Sequence, residues 1–432
     1  MLKKKLLREL PFLLLALLIV SFIATHAPNV DYDTPSYINF DVTRPLLYPA
    51  FLWLFHYQFS LIMWVQCVLL CTVLLHARFW LRRYLQVSDS AIFLVFLMVL
   101  ITISFHYQVI YIQSEGLTFP LFILTFFLLI ECFQKVNYKK IIFLSALVSI
   151  LVLTRLQFYF FYGIFFILCL WYFWQGLSTK VLFNTFLILF SSMLLTFMTN
   201  YSYHYFKHGF FGEAPYSGEL LLTQTLYLAN NQAANYFQKS ELKDTLKALL
   251  EQREKQKLNE NANLVASFKP GSLKLAYQSY SRNYQAMLSS IEKILSDKYG
   301  DRFVQNSMAM EINKVLLVHD IKNNLIFLIW KIIQCTGGIN LFLFYWLILL
   351  FLMYKIINGR LRVLPLSAIF VGLSALITLL NATIIALFNV DLPIYFCYSQ
   401  FLFYCLSAFL ISKSISLIGK QQLLMTSTKT PI

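Results

Sequence analysis

Residues Leu341-Phe342-Leu343-Phe344-Tyr345-Trp346-Leu347-Ile348-Leu349-Leu350-Phe351-Leu352-Met353-Tyr354 form an unbroken apolar run closed by Lys355. A helix over 340–357 would be about 27 Å long at ~1.5 Å per residue. That nearly matches a hydrocarbon core of ~30 Å. Nothing in a water-soluble domain calls for such a run, so this segment reads as a membrane span. Working outward, the chain offers ten such stretches, at about 10–25, 59–77, 89–105, 117–133, 141–154, 157–174, 181–199, 340–357, 364–388 and 394–412. The expected fold class is therefore all-α: a polytopic membrane helical bundle of about ten spans with one helical domain outside the membrane.

Composition agrees with this reading. Of 432 residues 59% are hydrophobic and only 13% charged, with a mean hydropathy of +0.65. Soluble domains carry about 25% charged residues, so an ordinary cytosolic enzyme, a disordered chain and a small disulfide scaffold are excluded. The net charge of +15 would raise nucleic acid in a soluble protein. Here the placement of the cations explains it, and no nucleic-acid partner is expected. Cys67, Cys71, Cys132, Cys169, Cys397 and Cys405 lie in apolar runs, where a thiol acts as a small hydrophobe. No CxxC or Cys/His cluster points to a metal.

The connections have a consistent sidedness. Lys3, Lys4, Lys5 and Arg8 precede the first span. Arg78, Arg82 and Arg83 follow the second, Lys135, Lys139 and Lys140 the fourth, and Lys180 the sixth. Lys355, Arg360 and Arg362 follow the eighth, and Lys413, Lys420 and Lys429 the tenth. All fall on one side, which the positive-inside rule makes cytoplasmic. The short opposite loops hold the cations Arg44 and Arg155 and collect Asp31, Asp33, Asp41, Glu115 and Asp391. Both termini are expected in the cytoplasm, and a bacterial inner membrane is the expected location. The Lys-rich start ending at Thr25-His26-Ala27 has the outline of a secretory signal. Nine further spans and an acidic segment directly after it favour an uncleaved anchor.

Three segments follow: an N-terminal membrane bundle, 1–200, carrying the first outer loop; an extracytoplasmic helical domain, 201–339; and C-terminal spans, 340–432. In the middle segment Leu242, Leu246, Leu249 and Leu250 recur at helical spacing. So do Leu273, Tyr277, Tyr280, Tyr284, Leu288, Ile291 and Leu295, the mark of amphipathic helices packing on one another or on a membrane surface. Leu220-Leu221-Leu222 with Leu226-Tyr227-Leu228 is too short to span and reads as an interfacial helix on the outer surface.

The first outer loop concentrates chemistry. It reads Asn29-Val30-Asp31-Tyr32-Asp33-Thr34-Pro35-Ser36-Tyr37, followed by Thr43-Arg44-Pro45-Leu46-Leu47-Tyr48-Pro49. Turn residues and interfacial tyrosines would account for a plain solvated loop. Yet one of two outer cations sits here beside a pair of acids. A carboxylate so placed can act as a general base on a hydroxyl, and an arginine fork can bind a phosphate.

An Asp followed by Thr-Pro-x-Tyr after the first span, then Arg-Pro-x-x-Tyr-Pro before the second, resembles the GT-C superfamily. These polytopic glycosyltransferases, protein O-mannosyltransferase-like and aminoarabinose-transferase-like enzymes among them, take sugar from a polyprenyl-phosphate carrier. Ser114-Glu115 opening the fourth span and Leu153-Thr154-Arg155 closing the fifth are similar features. Asp391-Leu392-Pro393-Ile394-Tyr395-Phe396-Cys397-Tyr398-Ser399-Gln400 opens the last span where many members carry Arg-Tyr-x-x-Pro, though no Arg precedes Tyr395 here.

The resemblance implies transfer of a sugar, with inversion, to an acceptor hydroxyl on a glycan, lipid or protein. It places the catalytic base at Asp33, where Thr-Pro-x-Tyr follows directly, or at its neighbour Asp31. Arg44 and Arg155 become candidates for the carrier phosphate, with Tyr37, Tyr48, Tyr395, Tyr398 and Gln400 as further substrate contacts. Arg155 could equally snorkel at a helix end. Glu115 could bind acceptor hydroxyls or a metal, or favour a helix N-terminus. No cofactor is implied.

Two rival readings share the architecture. An O-antigen-type polymerase or ligase would lean on arginines and a histidine of the outer segment, here Arg253, Arg282, Arg302 and His319, but leaves the acids of the first loop unexplained. A transporter would place polar groups and broken helices near the midplane. This chain has only 13 Gly and 11 Pro, and its ionisable groups sit almost wholly at span ends.

Overall fold

The computed structural model describes residues 2–108, 110–358, 364–390 and 393–427, with side chains from residue 9 to 415 apart from 105–109, 359–363 and 391–393. Asp391, Arg360, Arg362, Lys3, Lys4, Lys5, Arg8, Lys420 and Lys429 lie outside the described residues or side chains. Among the described residues the chain is all-helical. One isolated parallel bridge, Asn29 to Tyr111, is the exception.

The helices are α1 Leu2–Thr25, α2 Thr34–Ile38, α3 Leu47–Leu54, α4 Phe59–Leu85, α5 Asp89–Val99 and α6 Ser114–Gln134. Next come α7 Tyr138–Thr154, α8 Phe160–Trp174, α9 Thr179–His208, α10 Ser217–Leu228, α11 Ser240–Lys255 and α12 Pro270–Lys298. Last are α13 Arg302–His319, α14 Ile321–Cys335, α15 Ile339–Ile357, α16 Leu366–Phe388 and α17 Pro393–Ser427.

Among the described residues seven helical segments are long and apolar enough to cross a membrane: Phe59–Leu85, Ser114–Gln134, Leu156–Trp174, Thr179–His208, Ile339–Ile357, Leu366–Phe388 and Ile394–Ile415. The other three stretches read as spans form shorter apolar helices among the residues whose side chains are described. Glu9–Thr25 and Asp89–Ser104 are short apolar helices, and α7 has 17 residues opening on Lys139 and Lys140.

The chain divides into two compact units. The first comprises residues 1–200, 345–378 and 396–432, the second 201–344 and 379–395. In the first, α6 is the most enclosed span, packed against α4 and α7. Gly116 is what lets α4 and α6 approach, since a Cβ there would stand 2.5 Å from the Gln66 amide.

The second unit is organised by the periodicity legible in the sequence. Leu273, Tyr277, Tyr280, Tyr284, Leu288, Ile291 and Leu295 of α12 are all buried, in one core with Leu242, Leu246, Leu249 and Leu250 of α11. Residues 220–228 are a correction to the expected interfacial helix. Leu222, Leu226 and Tyr227 are buried in that same core, because α10 packs on both α12 and α13. Asn313 donates to the Gly218 carbonyl at 2.7 Å, and the Gly218 N–H donates to Asn306 Oδ1 at 2.7 Å. A helix with partners on two sides has no face left for lipid.

Two buried ionisable groups in this unit set a pH response. Burial pushes the Glu219 carboxyl up to about 7, although Arg302 stands 2.9 Å away. Burial pushes the Lys331 amine down to about 7, where Gln224 Oε1 at 3.2 Å is its closest acceptor. Glu219 contributes stability below its ordinary value of 4.5 and loses it as pH rises through about 7. Lys331 contributes stability above 10.5 and loses it as pH falls through about 7. Melting temperatures of the full-length protein in detergent should therefore have a minimum near pH 7. Glu219→Gln should flatten the acid limb, and Lys331→Met the alkaline one. A pH profile that neither variant alters would contradict this assignment.

Candidate active site

The acids of the first outer loop are placed by local turn chemistry. Thr34 begins α2, and its hydroxyl accepts the Asp31 N–H at 2.9 Å while donating to the Ile112 carbonyl at 3.0 Å. The Asn29 N–H donates to the Ile110 carbonyl at 2.7 Å, and the Ile112 N–H returns to the Asn29 carbonyl at 3.0 Å. This short bridge fixes the loop before α2 against the entry to α6. Pro35 in the first turn of α2 suits a position whose N–H would go unpaired.

The two aspartates have different environments. Asp31 accepts from the Tyr32 N–H at 2.7 Å and from Gln113 Nε2. Asp33 accepts from Arg44 Nη2 at 2.5 Å, with side-chain exposures of 44% and 25% for acid and base. Arg44 Nε also donates to Ser36 Oγ at 2.7 Å. Its guanidinium lies 4.6 Å from the centre of the Tyr37 ring.

From Tyr37 the polar chain runs inward. Its hydroxyl donates to Ser114 Oγ at 3.2 Å, and Ser114 donates to Glu115 Oε2 at 3.1 Å. Arg155 Nη1 pairs with Glu115 Oε1 and reaches Ser114 Oγ at 3.4 Å. Glu115 is 4% exposed and Arg155 17%. Arg155 is thus turned onto a buried acid. Its backbone is extended where α7 ends, before the 3-10 turn Leu156–Tyr159. Thr118, one turn into α6, bonds the Ser114 carbonyl at 2.9 Å and the Tyr398 hydroxyl at 2.7 Å.

Asp33, Arg44, Tyr37, Glu115 and Arg155 therefore form one hydrogen-bonded chain, with Tyr398 joined through Thr118. Asp31 stands beside it on Gln113. Tyr48 is fully buried behind Tyr37, their rings 4.8 Å apart, and accepts from Gln66 Nε2 at 3.1 Å. Tyr395 belongs to the second unit, where its carbonyl accepts from Asn381 at 3.3 Å. Gln400 has a buried Oε1 without a hydrogen-bond partner among the described residues.

Sequence reasoning assigned no role to Ser114 and overlooked Gln113, Thr118 and Ser36. Their signal was a Gln-Ser-Glu triplet and a Thr at the mouth of a long apolar helix, where polar side chains need partners. Among the described residues no group of three or more His, Cys, Asp or Glu is placed to hold a metal ion. Two arginine–carboxylate pairs, one half-exposed and one buried, can together hold an anion, hold a hydroxyl and accept its proton. No family model, curated protein or solved structure matches the chain.

Proposed function

We propose that this protein is an integral membrane glycosyltransferase that moves a sugar from a polyprenyl-phosphate carrier to an acceptor hydroxyl on the extracytoplasmic side. The supporting observation is the half-exposed Asp33–Arg44 pair wired through Tyr37 and Ser114 to the buried Glu115–Arg155 pair. In this reading the chain crosses a bacterial inner membrane ten times, with both termini cytoplasmic and residues 201–339 outside.

Asp33 is the base, because the Asp31 carboxylate is held by Gln113 and Tyr32. Carrier phosphate draws the Arg44 guanidinium toward its oxygens, a fork suited to phosphate, and the Asp33 carboxylate is freed. The acceptor oxygen then forms its bond to the anomeric carbon as its proton passes to Asp33. The bond from that carbon to the phosphate oxygen breaks, and its electron pair leaves on polyprenyl phosphate. Attack opposite the leaving group inverts the configuration. Arg44 and Arg155 stabilise the charge that develops on the phosphate, while Glu115 keeps Arg155 in place.

The polymerase or ligase alternative needs outer-segment arginines free for substrate. Arg253 is instead buried on the Leu226 and Ala229 carbonyls, both at 2.6 Å, and the partly exposed Arg302 is paired with Glu219 at 2.9 Å.

The test supplies purified full-length protein in lipid with radiolabelled polyprenyl-phosphate hexoses and pentoses together with membrane acceptors. The expected result is label moving to an acceptor as free polyprenyl phosphate appears. Folded protein that releases no polyprenyl phosphate from any of these donors would overturn the reading.

A further inference from the structure

Helix α14 is apolar on its outward side as well as on the side that packs into the second unit. Its outward stripe carries Ile321, Leu325 and Ile329 at helical i, i+4, i+8 spacing, exposed by 67%, 54% and 45%. Val318 at the end of α13 is also exposed, and Leu328 and Ile332 are half-buried on the same stripe. The opposite side buries Phe327, Trp330 and Ile333 in the core and carries two polar groups in with them. Asn324 and Lys331 are buried there, the first donating to the Asp320 carbonyl at 2.9 Å and the second to Gln224 at 3.2 Å. Water on the outward stripe would leave these aliphatic side chains hydrated and forgo the gain of their burial.

Chain continuity says what covers the stripe. Three residues, Thr336, Gly337 and Gly338, separate α14 from α15, one of the seven membrane-length helices. They can span at most about 11 Å. Both glycines take positive φ, 96° and 101°, and their N–H groups bond the Gln334 and Ile333 carbonyls at 2.9 Å. The turn is therefore closed by hydrogen bonds. Apolar exposure resumes at once beyond it, at Ile339 and Leu343. At 15 residues α14 is about 22 Å long, too short to cross ~30 Å of hydrocarbon. Lys322, 4.6 Å over the exposed Phe268 ring, puts a cation and an aromatic at its far end, the composition that sits at headgroup level.

We infer that α14 lies along the bilayer interface with Ile321, Leu325 and Ile329 in the acyl boundary, so that the second unit is laid on the membrane through this helix. The inference needs only the bilayer and stands whether or not the protein transfers sugar.

The experiment places photoreactive benzoylphenylalanine singly at Leu325 and Ile329 in the full-length protein, in intact membranes. Phe351 of α15 serves as the lipid-facing reference and Lys247 on the exposed face of α11 as the water-facing one. Phospholipid adducts at 325 and 329 in yields comparable with 351, and absent at 247, are expected. Crosslinks to a second copy of the chain or to another protein in place of lipid would overturn the inference. So would an absence of adducts at both positions while 351 reacts.

Discussion

Asp33→Asn is expected to lower sugar transfer by roughly 10²–10⁴-fold, the usual contribution of a positioned general base, with little loss of folded protein. Asparagine keeps an oxygen for Arg44 but cannot take the acceptor proton, so the deficit should fall on kcat and leave KM nearly unchanged. The fold should tolerate the change because the pair is partly solvated on both sides, 44% and 25% exposed. Such pairs contribute no more than about 1 kcal/mol. Asp31→Asn separates the two neighbours: its carboxylate already serves Gln113 and the Tyr32 N–H, so transfer should fall far less. Arg44→Met should raise KM for the lipid donor, since it removes the phosphate fork. Equal turnover by wild type and Asp33→Asn at equal folded yield would end the assignment of Asp33. A collapse with Asp31→Asn in its place would move the base by two residues.

Periodicity made much of the helical packing legible. The buried stripe of α12 follows the Leu273 to Leu295 spacing residue by residue, because a helix in a polar segment has one place for its apolar side chains. The grouping within the first loop was legible as well: Asp33, Arg44 and Tyr37 lie close in sequence and meet in space. What escaped was set by tertiary partners. Ser114 links Tyr37 to Glu115 from 77 residues away in the chain, and no local pattern announces such a contact. Helix α10 was misplaced because an apolar run of that length fits a membrane surface and a protein core equally well. Only its packing on α12 and α13 decides. The stripe of α14 shows the complementary limit. Spacing tells which residues share a face, but Lys331 and Asn324 reveal which face is turned inward only once their buried partners are known.

The Glu115–Arg155 pair should dominate stability in the first unit. With Glu115 4% and Arg155 17% exposed, Glu115→Ala leaves a largely buried guanidinium beside Ser114 without its Glu115 carboxylate. Breaking a buried pair on one side costs about 3–5 kcal/mol, which should appear as a large fall in melting temperature and in folded yield. Arg155→Met should cost a similar amount by stranding the carboxylate. Exchanging both at once, Glu115→Leu with Arg155→Met, removes the charges together and fills the volume, and pairs so replaced are often neutral or better. The double variant should therefore melt near wild type, a coupling that two independent surface charges would not produce. It also divides the two roles open to the pair. A folded double variant without transfer activity means that the inner arginine serves the departing phosphate. One that retains full activity means that the pair holds α6 to the end of α7 and that Asp33 and Arg44 carry the chemistry alone.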